Sequence, residues 1–340
     1  MTEKKEIAAV LGGGSFGTAV ANMIAGNGYS TTLWMRNEEN ARRCREQGEN
    51  TRYLPGYKLC PDLIISSNIE ATLAGADLVF FSVPSKSFRE VCRQAAPFIA
   101  PNTMVVSTAK GIEGESFKLM SDVLQEELKQ PRVGVISGPN LAREVARREL
   151  TATVIASPDR ALCESVQTLL STDTFRVYSN SDMFGVELAG ALKNIYAITA
   201  GVASAMNLGQ NTISMLMTRS LAEMTRFATR LGADPMTFLG LSGVGDLFVT
   251  CTSPLSRNYR VGQALGQGKS LEQAIEDVGQ VAEGVNTTRT VKHKADELDI
   301  YMPLASGLYA VMFNGASIDQ VVKGMMVSAH AEDVEFRIQS

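Results

Sequence analysis

The run Ile7-Ala-Ala-Val-Leu-Gly12-Gly-Gly14-Ser-Phe-Gly17 constrains the fold more than any other stretch of the chain. A short apolar segment passes directly into glycines at the G-x-G-x-x-G spacing, and these pass into Thr18-Ala-Val-Ala-Asn-Met-Ile-Ala, which is patterned as a helix. A strand, a tight turn and a helix in that order open an α/β sheet. Gly12 permits the turn, Gly14 lets the backbone approach a pyrophosphate, and Gly17 lets the helix pack on the strand, so that unpaired N–H groups at the helix start face an anion.

The alternation of strand and helix continues to about residue 178. Candidate strands are 7–12, 31–35, 63–67, 78–83, 104–108, 133–138 and 151–156, while 88–99 and 117–128 have helical spacing. This predicts an N-terminal Rossmann-type domain over 1–180, a doubly wound parallel sheet flanked by helices. From about Ser181 the pattern changes to long helical stretches, including 183–206, 212–231, 258–267 and 316–329, with turns at Gly240–Asp246 and Pro254. An all-α domain over 181–340 is expected.

Composition removes several function classes. The 340 residues are 45% hydrophobic and carry a formal net charge of -4, so no global basic field attracts nucleic acid or an anionic membrane, and a small anion such as a phosphate ester is the better partner. Cys44, Cys60, Cys92, Cys163 and Cys251 are odd in number and widely spaced, which suits a reducing cytoplasm and argues against a disulfide framework or a zinc site. The start, MTEKKEIAAVLGGG, lacks the form of a secretory signal, and 195–218 holds too many polar groups for membrane insertion. His293 and His330 have no neighbouring motif of metal ligands or nucleophile, so no metal is expected.

The candidate chemistry lies elsewhere. Where a NAD binder places an acidic residue near the end of the second strand, this chain has Trp34-Met35-Arg36, and Arg36 suits the 2′-phosphate of NADPH. Lys110 follows a strand and precedes a glycine, a place from which it reaches the ligand crevice or simply solvent. Ser137-Gly138-Pro139-Asn140 ends the next strand and opens a helix. Thr252-Ser-Pro-Leu-Ser256-Arg257-Asn258 gathers phosphate-binding residue types, or else a plain helix cap, and Asp246 has the same two readings.

Lys193 is the oddest residue. It is the only charged position from Leu188 to Thr218, and its helical neighbours at three and four residues, Ala189, Gly190, Tyr196 and Ala197, include no carboxylate. It either snorkels to water, pairs across an interface, or serves as a desolvated acid, with Lys110 as the candidate second cation.

Gly12 to Gly17, VPS (83–85), TAKGIE (108–113), SGP (137–139), ELAGALKN (187–194), GLSGVGDL (240–247) and SRN (256–258) together resemble the bacterial NAD(P)-dependent glycerol-3-phosphate dehydrogenases, in order and over nearly the whole chain. Asn140-Leu141 departs from the Ser-Phe of that pattern. The resemblance implies reversible reduction of dihydroxyacetone phosphate to sn-glycerol 3-phosphate for glycerophospholipid synthesis, in a cytoplasmic homodimer whose two domains hold cofactor and substrate between them. It implies Lys193 as the acid/base, Lys110 as a contact to both ligands, and Gly138, Asn140, Asp246, Ser256, Arg257 and Asn258 as substrate ligands. Ser15, Phe16, Arg36, Lys110, Ala142, Arg257, Val281 and Glu283 would line the cofactor, NADP(H) preferred and NAD(H) possible. Two alternatives share the layout: a 2-keto acid reductase of the ketopantoate type, and a non-catalytic NADPH-sensing module.

Overall fold

A computed structural model describes residues 6–326 except Glu115 and Gln130. Its chain divides into two compact units, one of residues 1–110 and 118–183, the other of 111–117 and 184–340.

The first unit is built on strands β1 (Ala8–Leu11), β2 (Thr31–Trp34), β3 (Ile64–Ser66), β4 (Leu78–Phe81), β5 (Met104–Ser107), β6 (Arg132–Ser137), β7 (Thr151–Ala156) and β8 (Phe175–Asn180). Its helices are α1 (Ser15–Gly26), α2 (Glu38–Gln47), α3 (Ile69–Leu73), α4 (Ser85–Ala95), α5 (Met120–Glu127), α6 (Ala142–Ala146) and α7 (Arg160–Leu170). The strands form one sheet in the order β3-β2-β1-β4-β5-β6-β7-β8. The first six positions follow the Rossmann order 3-2-1-4-5-6, whose ligand crevice lies at the carboxyl ends of β1 and β4. Alternate residues of β4 show why the centre is apolar throughout: Leu78 and Phe80 enter one core cluster with Val10, Ile24 and Val106, and Val79 and Phe81 enter another with Leu11, Phe88 and Val105. A strand covered on both faces reads as a continuous hydrophobic run.

Two features correct the expectation of a parallel sheet of seven strands. β7 pairs antiparallel with β6, and β8 extends the edge parallel to β7. The connection from β6 to β7 contains only the five-residue α6, a single short helical turn where the other crossovers of a doubly wound sheet carry a full helix. In β8, Arg176 and Tyr178 are exposed between buried Phe175 and Val177, and this half-polar edge strand carries no continuous apolar signal.

The second unit is helical: α8 (Met183–Ala205), α9 (Gln210–Arg230), α10 (Asp246–Thr252), α11 (Arg257–Gly266), α12 (Leu271–Val278), α13 (Glu283–Glu297), α14 (Pro303–Phe313) and α15 (Ile318–Met326). α8 is buried almost all round, the mark of a helix packed on every side rather than on one face. Its crossing with α11 is made by glycine on both sides: a Cβ on Gly201 would lie 2.0 Å from Tyr259 O, and one on Gly262 would lie 1.9 Å from Ile198 O. Backbone against backbone at that distance leaves no room for a methyl group. The segment expected to be a turn at Gly240–Asp246 is instead a π-helical turn, Leu241–Gly245, leading straight into α10. Residues 327–329 of the expected helix 316–329, and His330, lie outside the described residues; His293 stacks edge-on against Tyr309.

Candidate active site

In the first unit the glycine loop joins β1 to α1. Gly12 has φ 122°, and a Cβ there would lie 2.4 Å from Ser82 O at the end of β4. A Cβ on Gly17 would lie 2.1 Å from Gly12 O. These two glycines are demanded by the chain's own packing. Gly14 is different: a Cβ added there meets no protein atom within 4 Å, so its side is an open cradle at the N-terminus of α1. Gly14 caps α1 with no side-chain hydrogen bond, and the first turn has no acidic residue. The early N–H groups and the positive end of the helix dipole therefore suit an anion, and the residues fit a dinucleotide pyrophosphate. Ser15 donates its hydroxyl to Tyr53 O (2.6 Å), and Phe16 packs on the core. Arg36 stands exposed just beyond β2.

Farther along the carboxyl ends of the strands, Lys110 Nζ donates to Gly138 O (2.8 Å), joining the turn after β5 to the turn after β6. Gly138 has φ 138°, a conformation a side chain rarely adopts. Asn140 Nδ2 donates to Thr153 Oγ1 (2.7 Å), whose own proton goes to Ser137 O (3.1 Å). Thr153 thus fixes the amide orientation, and it leaves Asn140 Oδ1 buried with no hydrogen-bond partner among the described residues; Ser137 Oγ is in the same state. Buried polar atoms of this kind cost stability unless a ligand meets them. Ala142 starts α6 beside them, half-buried.

In the second unit, Lys193 is 5% exposed, which rules out snorkelling. Its ammonium forms a buried ion pair with Asp246 and donates to Thr250 Oγ1 (2.6 Å), while Thr250 donates back to Asp246 O (2.6 Å). The absence of a carboxylate on its own helix therefore does not isolate Lys193 from one. The partner comes from α10, 53 positions away in sequence, and no inspection of one helix reveals it.

Ser256 is the N-cap of α11, its Oγ accepting from Tyr259 N (3.2 Å), which leaves the hydroxyl proton to donate. The Asn258 amide ties three helices together: Nδ2 donates to Asn194 Oδ1 (2.8 Å) on α8, and Oδ1 accepts from Gly284 N (3.0 Å) on α13. Solvent reaches Arg257, and its charge persists, although protein packed around the guanidinium pulls its pKa down against the opposing pull of Glu283. Glu283 opens α13, two positions after Val281, which is exposed. Thr250, Asn194 and Asn50 are the residues that sequence reasoning passed over. Each is a small polar residue whose partner lies on another element, and only Asn194, inside ELAGALKN, lies within a motif singled out from the sequence.

Family models for the N-terminus and the C-terminus of NAD-dependent glycerol-3-phosphate dehydrogenase match residues 7–163 and 182–323. The chain belongs to the NAD-dependent glycerol-3-phosphate dehydrogenase family. It is 58% identical over 329 residues to the glycerol-3-phosphate dehydrogenase (NAD(P)+) of Teredinibacter turnerae, covering 97% of both chains. It is 56% identical over 336 residues to that of Pseudomonas paraeruginosa, covering 99% of this chain and 98% of the other. Among solved structures, the glycerol-3-phosphate dehydrogenase of Coxiella burnetii superposes with TM-score 0.91 at 36% identity, covering 95% of this chain and 99% of that one. A ketopantoate reductase from Ralstonia eutropha shares the fold more loosely, with TM-score 0.58 at 17% identity over 94% of this chain and 99% of that one.

Proposed function

We propose that this member of the glycerol-3-phosphate dehydrogenase family reversibly reduces dihydroxyacetone phosphate to sn-glycerol 3-phosphate, with Lys193 moving the proton at the C2 oxygen. The observation that carries the assignment of Lys193 is its burial in a frame of fixed hydrogen bonds. An ammonium 5% exposed, oriented by Asp246 and Thr250, is a proton donor held in one place.

When bound, the nicotinamide supplies the hydride that goes to the carbonyl carbon. The chain's residues do the rest. As negative charge develops on the substrate oxygen, Lys193 Nζ gives up a proton and stabilises that charge, with Asp246 and Thr250 fixing the amine throughout; in the reverse direction the amine takes the proton back. Lys110, anchored on Gly138 O, offers a positive charge to the ligands from the first unit. Asn140 offers an amide oxygen to a substrate hydroxyl. Ser256, Arg257 and Asn258 at the start of α11 receive the phosphate dianion, through a hydroxyl proton, a guanidinium and helix N–H groups.

On the first unit, the α1 N-terminus with Ser15 and Phe16 holds the pyrophosphate. Exposed Arg36 takes the 2′-phosphate, so NADPH is preferred and NADH accepted. Ala142, Arg257, Val281 and Glu283 border the cofactor. The same reading makes the protein a cytoplasmic homodimer that feeds glycerophospholipid synthesis. Among the described residues no helix is long and apolar enough to cross a membrane.

The direct test is NADPH oxidation followed at 340 nm with purified protein and dihydroxyacetone phosphate. Turnover is expected with this substrate and not with ketopantoate. Activity on ketopantoate alone would instead make the chain a 2-keto acid reductase, and NADPH binding without turnover on either would make it a sensing module.

A further inference from the structure

We propose that Asn50 is a positioning residue for the cofactor: by gripping the Gly13 carbonyl it sets the direction in which the phosphate loop aims its N–H groups. The proposal rests on the reading of Gly12–Gly17 as the pyrophosphate site.

Asn50 lies in the connection after α2 and is 1% exposed. Both hydrogens of its Nδ2 are spent on the loop, one on Gly13 O (2.9 Å) and one on Thr18 Oγ1 (2.8 Å) in the first turn of α1. Its own position is fixed in turn. Oδ1 accepts from Tyr53 N (3.3 Å), and its backbone carbonyl accepts from Leu54 N (2.8 Å), where Leu54 is a buried anchor. Tyr53 then receives the Ser15 hydroxyl, so residues 50–54 hold the loop at both ends of Gly14.

The reason such a grip matters lies in the peptide plane. The carbonyl of Gly13 and the N–H of Gly14 belong to one trans peptide and point in opposite directions. The α1 ladder begins one residue later, where Gly14 O accepts from Thr18 N (2.9 Å), so helix hydrogen bonding leaves the Gly13–Gly14 plane undetermined. Asn50 supplies the missing constraint from one side. Met35 packs so close to Gly13 that an added Cβ would lie 2.5 Å from its side chain, so only glycine fits there. With Gly13 O pinned to Asn50, the Gly14 N–H points away from residues 50–54. An aspartate at 50 has the same shape but would set an acceptor against the Gly13 carbonyl.

The test is calorimetric titration of NADPH into wild type and Asn50→Asp, together with steady-state kinetics. Loss of one well-aimed hydrogen bond to a charged phosphate raises the NADPH Kd roughly 10- to 100-fold. The kcat at saturating NADPH and the KM for dihydroxyacetone phosphate stay within about twofold of wild type. Thr18→Val, which removes only the second anchor and suits the site if Asn50→Asp fails to fold, gives a smaller rise in Kd. Asn27→Ala, which cuts the bond from the far end of α1 to Leu169 O (2.8 Å), lowers the melting temperature without changing the NADPH Kd. A wild-type Kd in Asn50→Asp overturns the proposal, and so does an equal rise in Asn27→Ala. Wild-type protein that binds no NADPH would instead overturn the underlying reading of the loop, and this inference with it.

Discussion

Replacing Lys193 by Met separates its structural ion pair from the proton transfer proposed for it. The Lys193 and Asp246 side chains are 6% and 1% exposed, so water cannot take over either charge when its partner is removed. Breaking a buried pair in this way costs about 3–5 kcal/mol, chiefly the penalty of a carboxylate left uncompensated. For a unit of this size that lowers the melting temperature by on the order of 10 °C. Removing both charges in Lys193→Met/Asp246→Asn restores most of the loss, because no unpaired charge remains. Activity behaves otherwise. Without the proton donor, kcat falls about 10²- to 10⁴-fold in both variants, while NADPH still binds. The assays are thermal unfolding by circular dichroism, NADPH oxidation with dihydroxyacetone phosphate, and NADPH titration. A single variant that melts with wild type would show that the pair is not buried as described. A double variant that turns over normally would refute Lys193 as the acid.

Arg36→Asp should reverse the cofactor preference, raising KM for NADPH and lowering it for NADH; an unchanged ratio of the two would remove Arg36 from the 2′-phosphate site. Gly262→Ala forces a Cβ to within 1.9 Å of Ile198 O, so α8 and α11 must part by about 1 Å and the 2.8 Å bond from Asn258 to Asn194 is lost. A loss of about 3 kcal/mol or more and reduced kcat are expected, and normal stability would mean that the crossing is looser than described. Glu223 is buried, accepts from Leu304 N and Ala305 N, and has its pKa pushed from 4.5 to about 7, foremost by loss of water. The folded state therefore binds the extra proton: the stabilisation is whole below pH 4.5 and declines as pH rises to about 7, by roughly 3 kcal/mol, with no further change above. Urea midpoints measured across that range should show the decline in wild type and not in Glu223→Gln; parallel profiles would refute it.

The legible parts of the fold share one property, which is that their signal is local. Gly12 and Gly17 are required by contacts a few residues away or at the end of the adjacent strand, and the apolar runs of β1, β4 and β5 follow from burial on both faces. The antiparallel turn-back of β7 and the edge strand β8 were not legible, because direction and edge position depend on the neighbours a strand finds. Ser256 shows the same limit at the site. Its residue type fits a cap and a phosphate ligand equally, and the structure shows the cap while leaving the hydroxyl proton to donate.

The amino-acid pattern alone carries the order of elements, the glycine turn between β1 and α1, the change from strands to helices near residue 181, and the strangeness of a lysine on an apolar helix. These are written in periods of two and 3.6 residues and in glycine spacing, which propagate along the chain. What that lysine meets depends on how the helices pack. Helical periodicity at positions 189, 190, 196 and 197 correctly excludes a carboxylate at pairing distance on its own helix, yet Asp246 arrives from α10, 53 positions away in sequence. The same holds for Asn50 beneath the glycine loop. A hydrogen bond or ion pair formed across the fold leaves no periodic trace in either partner, because its geometry is set by which faces the packing brings together.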